Sequence, residues 1–199
     1  VARVVLIAAI VILAVLPALP STAVANCSAP SAESATEQQL VGLINGYRNA
    51  NGLPSLRMST TLSTAAHWMA NDLVTHSYFA HEPDSLGRSF AQRITDCGGK
   101  GYLGENVAGG GQTAAQTLAQ WQSSPGHNAA MLNASFTDIG VAALPGGVYG
   151  TTWVADFGTA QGDGSPICHT DPRFPGALIC DGGGVQGWNT ILHVAEVAS

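Results

Sequence analysis

Apolar residues follow three different rhythms along this chain. The first is an unbroken run from Val4 to Leu16, preceded by Arg3 and followed by Pro17, Pro20 and the small-residue triplet Ala23, Val24, Ala25. That order reads as an export signal over residues 1–25, cleaved before Asn26. The competing reading is a membrane anchor, but a span needs about 20 apolar residues and Pro17 interrupts the run first. A lipid anchor on Cys27 is disfavoured because Asn26 stands where a small residue is needed.

The second rhythm is helical. Leu40, Leu43, Ile44 and Tyr47 share one face of a segment opened by Thr36, with Gln39 three residues on as in a capping box, and closed near Asn51 and Gly52. Leu62, Ala66, Met69 and Leu73 predict a core-facing helix over 59–75. A further helix is expected over 113–122, with Ala114, Leu118 and Trp121 buried. Ser124 then reads as the cap of another, with Pro125 in its first turn, where no hydrogen bond is lost. Between these segments, residues 76–111 are rich in glycine and read as loop around a short helix at 86–94.

The third rhythm has a period of two. Residues 136–143 and 148–157 are short apolar and β-branched runs joined through Leu144, Pro145, Gly146 and Gly147, a hairpin signal. Helices followed by a hairpin argue for an α+β fold, with helices packed on a small antiparallel sheet. The division expected is a leader at 26–35, one domain at 36–158, and a Gly-, Pro- and Asp-rich extension at 159–199.

Composition narrows the function classes. The 199 residues carry 7 Lys and Arg against 13 Asp and Glu, a net charge of −6. Lys100 is the only lysine and the arginines are scattered, so the basic stripe that nucleic acid requires is missing. Export permits disulfides, and Cys27, Cys97, Cys168 and Cys180 allow three pairings. The short, turn-rich stretch between Cys168 and Cys180 favours a local bridge there, which leaves Cys27 for Cys97.

The candidate chemistry lies in the histidines. His81 follows a helix, Glu105 sits in a glycine-bordered segment, and His127 falls in the first turn of the helix after Ser124. Two imidazoles and a carboxylate on constrained segments can bind a divalent ion or exchange protons. A helix start disfavours imidazolium, which keeps His127 neutral, the form that ligates metal. The chain has no GxSxG elbow, HExxH helix or P-loop, and no nucleophile stands out. His67 and His76 read as helix residues, and Trp121, Trp153 and Phe157 as core.

The segments HSYFAH (76–81), GENVA (104–108), WQSSPGHNAAMLN (121–133), FTDIGVA (136–142) and WVADFG (153–158) resemble, in order and spacing, the CAP superfamily of cysteine-rich secretory, antigen 5 and pathogenesis-related proteins, in particular its bacterial SCP-like branch. The resemblance implies an α-β-α sandwich whose cleft is lined by a His, Glu, Glu, His tetrad. Here the first His matches His81, the first Glu matches Glu105 and the last His matches His127. The second Glu falls at Ser124, so one carboxylate is missing. Two functions follow as expectations: an extracellular module binding a lipid, sterol or cell-surface component at His81, Glu105, Ser124 and His127, or a metal-dependent hydrolase. In the second, His81 and His127 hold zinc and Glu105 activates its water. Catalytic zinc usually takes three protein ligands, which favours binding over catalysis.

Overall fold

The computed structural model describes Cys27, residues 33–165, and the backbone of two short strands beyond them. The expected signal segment, most of the expected leader and most of the expected extension lie outside the described residues. In chain order the elements are α1 (Ala35–Ala50), β1 (Arg57–Ser59), α2 (Thr60–His76), α3 (Phe90–Asp96), β2 (Leu103–Gly109), α4 (Ala114–Ser123), α5 (Pro125–Met131), β3 (Asp138–Pro145), β4 (Thr151–Gly158), β5 (Gly164–Ser165), β6 (Ile167–Thr170) and β7 (Leu178–Asp181). No described helix is long and apolar enough to cross a membrane.

Helix α1 begins two residues earlier than expected. Ser34 and Glu37, rather than Thr36 and Gln39, form the capping box. Glu37 wins because its carboxylate does more than cap: it also accepts the Ala143 N–H at 2.9 Å and lies 3.0 Å from His67 Nε2, joining α1 to β3 and α2. Ser59 caps α2, and Asp163 accepts both the Ser59 hydroxyl and the Thr61 N–H at 2.7 Å. Thr113 and Gln116 form a second capping box at α4. The short helix in the glycine-rich region starts at Phe90, later than its sequence pattern, because Ser89 provides the cap.

The sheet runs β2-β4-β3-β1-β5. Strands β2, β4 and β3 are antiparallel, as the hairpin predicts, while β1 adds to β3 in parallel and β5 closes the far edge. Strand β2 corrects the expectation of loop around Glu105. Its seven residues pair with β4 from Leu103↔Gly158 to Gly109↔Thr152. The glycines that hid it lie under aromatic rings: a Cβ at Gly104 would come within 2.7 Å of Phe136 and one at Gly109 within 2.6 Å of Tyr149.

Alternation along the strands sorts residues into two cores. Val107, Ala142 and Val154 face Ala66, Met69, Ala70 and Leu73 of α2. On the opposite face, Ile139, Val141, Trp153, Ala155 and Phe157 pack with Leu40 and Ile44 of α1, Trp121 of α4 and Met131 of α5. The fold is thus a three-layer α-β-α sandwich, as expected. Arg48 crosses the second core fully buried and donates to the carbonyls of Pro54, Met131, Asn133 and Phe136. A disulfide joins Cys27 to Cys97 at the end of α3. Strands β6 and β7 pair so that Cys168 stands opposite Cys180; the side chains there lie outside the described residues.

Candidate binding cleft

Two neighbouring residues of the edge strand build the cleft. Because successive side chains on a strand point to opposite faces, Glu105 turns toward the layer of α2 and α3, and Asn106 toward that of α5. Asn106 Nδ2 donates to the His127 carbonyl at 3.0 Å, which ties the first turn of α5 to β2. On the other face, His81 Nδ1 lies 3.0 Å from Glu105 Oε1. A carboxylate only accepts, so Nδ1 carries the proton, and in the neutral ring Nε2 keeps its lone pair.

The loop that brings His81 there is built on two buried aspartates. Asp72, near the end of α2, accepts the Ser85 N–H at 3.0 Å together with the hydroxyls of Ser85 and Tyr78. Asp84 accepts the N–H groups of Leu86 and Arg88 and pairs with the Arg88 guanidinium at 2.9 Å. Arg88 also reaches Asp96 and lies over the Trp68 ring, 4.4 Å from its centroid. His81 is therefore held by a loop with its own polar core.

The structure brings the three expected residues together. The His81 and His127 rings have centroids 5.8 Å apart, and His127 lies 6.5 Å from the Trp121 ring. With Ser124, Gly126, Asn106, Glu82 and Phe90 they line an open cavity of about 340 Å³. Burial, and then the neighbouring His81, push the His127 imidazole below its usual range. The ring is thus held neutral, in the direction expected from its helix position. Ser124 occupies the N-cap position of α5, but its side chain makes no capping hydrogen bond, and the residue lines the cavity.

Three residues that shape the site went unassigned in the sequence: Asn106, Arg93 and Asp156. Arg93, fully buried on α3, donates to Glu105 Oε2. Both Glu105 oxygens are therefore engaged, and its side chain is 1% exposed. Asp156 is buried on β4 directly opposite Glu105. The signal available for it was a lone acidic residue inside the apolar run WVADFG, on a strand buried on both faces. Among the described residues no group of three or more His, Cys, Asp or Glu side chains is placed to hold a metal ion. The donors fit zinc poorly: with Glu105 committed to Arg93 and His81, two imidazoles remain, one fewer than catalytic zinc usually takes.

Comparison with known proteins agrees with this geometry. The sequence is 33% identical over 141 residues to the uncharacterized protein YkwD of Bacillus subtilis, covering 71% of this chain and 54% of that protein. It is 27% identical over 114 residues to the uncharacterized membrane protein YlbC of the same organism, covering 55% of this chain and 32% of the relative. The chain thus spans about half and a third of the length of these two relatives. Among solved structures, an extracellular SCP-domain protein of Bacillus anthracis superposes with a TM-score of 0.56 at 29% identity, over 62% of this chain and 40% of that one. An outer surface protein of Borrelia burgdorferi shares the fold with a TM-score of 0.58 at 22% identity, over 66% of this chain and 98% of the other. The sequence profile of the cysteine-rich secretory protein family matches residues 41–157. With its motifs, its three layers and this match in agreement, the chain belongs to the cysteine-rich secretory protein (CAP) family.

Proposed function

We propose that the protein is an extracellular binding module whose cleft takes the polar, hydrogen-bonding part of a lipid, sterol or cell-surface component. The observation that carries this reading is the commitment of Glu105. Its two oxygens are held by Arg93 and His81 and it is almost wholly buried, so it is not free to take a proton from water or substrate. A general base must reach the proton it abstracts, and this carboxylate instead aims a ring. The cleft offers the neutral His127 and the outer nitrogen of His81, groups suited to hydroxyl or amide partners.

Its size supports the same conclusion. About 340 Å³ stands at the low end of the roughly 300–1,000 Å³ typical of ligand pockets. That space suits a headgroup rather than a whole acyl chain. The extracellular setting is supported by the export signal and by the extracellular and outer-surface descriptions of two structural relatives.

Native mass spectrometry of protein recovered from culture medium tests the proposal. A co-purifying organic component is expected on the wild type and should be lost from both His81→Ala and His127→Ala. Equal retention by all three proteins would place the ligand elsewhere. A zinc-dependent hydrolytic activity lost in both variants would replace the binding reading with the catalytic one.

A further inference from the structure

Asp156 stands in the middle of a row that crosses three strands: Glu105 on β2, Asp156 on β4 and Gly140 on β3. All three point toward the α2 and α3 layer, and directly opposed residues bring their Cβ atoms to about 4.5–5.5 Å. On one side Asp156 therefore meets a carboxylate. On the other it meets a residue with no side chain, over which the backbone of Leu62 and Ser63 is packed.

The hydrogen-bond inventory around it does not close if both carboxyl groups are ionised. Asp156 is fully buried, and neither of its oxygens has a donor. The charged groups facing it are Glu105 from β2 and Arg93 from α3. Arg93 gives its Nη2 to Glu105, while its Nε and Nη1 have no acceptor, so it does not pair with Asp156 directly. Two carboxylates side by side are acceptors only, and like charges directly opposed across a sheet repel. One proton removes both difficulties, because a carboxylic acid can donate to its neighbour.

We propose that Asp156 is a positioning residue of the cleft: as a neutral carboxylic acid it donates its O–H to Glu105 from within the sheet and fixes the carboxylate that aims the His81 ring. The proton belongs on Asp156 because Glu105 is already stabilised as an anion by Arg93 and by the His81 N–H. Burial, and then the Glu105 charge, push the Asp156 carboxyl well above its usual range, with Arg93 opposing and the hydrogen bond to Glu105 adding to the rise. The buried charges then cancel as one Arg93 and one Glu105. Asp156 thus supplies a second carboxyl group close to the cleft, on a strand rather than at Ser124. The inference rests on the cleft being the ligand site only for its functional meaning, and its test uses no ligand.

Infrared spectra and histidine NMR on the intact secreted chain decide it. At neutral pH the wild type should show the C=O band of a protonated carboxyl that shifts on ¹³C-aspartate labelling and disappears in Asp156→Asn. The His81 Nδ1–H resonance should persist in Asp156→Asn, whose amide still donates to Glu105, and be lost in Asp156→Leu. Absence of the band from the wild type, or loss of the resonance in the Asn variant as complete as in the Leu variant, would overturn the proposal. If the Leu variant does not fold, the band and the Asn variant still decide.

Discussion

At Gly140 the backbone of α2 packs directly on the sheet, so Gly140→Ala tests the architecture that holds the cleft. A Cβ there would lie 2.0 Å from the Ser63 nitrogen and 2.1 Å from the Leu62 carbonyl carbon. Ordinary contact is about 3.5–4.0 Å, so α2 has to retreat by roughly 1.5 Å. Both obstructing atoms are helix backbone, and no side chain can rotate out of the way. Overpacking usually costs about 1–3 kcal/mol. Here the retreat also opens the contacts of Ala66, Met69 and Leu73 with the sheet, and a gap of ~1 Å forfeits up to about half of each dispersion well. We therefore expect a loss of about 3–5 kcal/mol, or roughly 10–15 °C in Tm for a domain of this size. Because the His81 loop leaves the end of α2, the His81 to Glu105 hydrogen bond should weaken as well. Gly42→Ala on α1 is the control, since its Cβ meets nothing within 4 Å. It should gain about 0.5–1 kcal/mol from helix propensity. Calorimetric melting of the two variants makes the comparison, and a Gly140→Ala Tm within about 2 °C of wild type would refute the close approach.

Two further outcomes are expected. Arg48→Met keeps much of the buried stem but leaves four carbonyls without their donor, so chemical denaturation should show a loss of at least about 3 kcal/mol. Burial pushes the Glu37 carboxyl up, but hydrogen bonds from His67, Ser34 and Ala143 outweigh it and hold the group below its usual range. Its contribution is therefore present above the ordinary glutamate range and lost as pH falls through the depressed folded value, so the stability gap between wild type and Glu37→Gln should close on acidification.

Legibility in the sequence followed how local each signal was. Helix α2 and the β3–β4 hairpin were readable because Leu62, Ala66, Met69 and Leu73 keep a helical period and two apolar runs flank a Pro-Gly-Gly turn. Strand β2 was not readable: LGENVAG becomes a strand through pairing with β4, which lies dozens of residues downstream. Ser34 and Thr36 both fit the local capping pattern two residues apart, and only the contacts of Glu37 with His67 and Ala143 separate them. His81, Glu105 and His127 could be grouped because the motifs they sit in resemble a family. Arg93 could not, since a buried guanidinium on a short helix leaves no local mark.

Strand β2 has one last consequence. Glu105 holds His81 on one face of the sheet and Asn106 holds the segment of His127 on the other, so the two imidazoles belong to different layers of the sandwich and are both anchored on one strand. A ligand bridging both rings would act as a clamp across the molecule, not merely an occupant of a pocket. Its binding free energy would then appear as mechanical cohesion between the layers: at a hundredfold excess over Kd, linkage adds about 2.7 kcal/mol to unfolding. That cohesion would add to the sheet and to the Glu37–His67 contact, which already join the two layers.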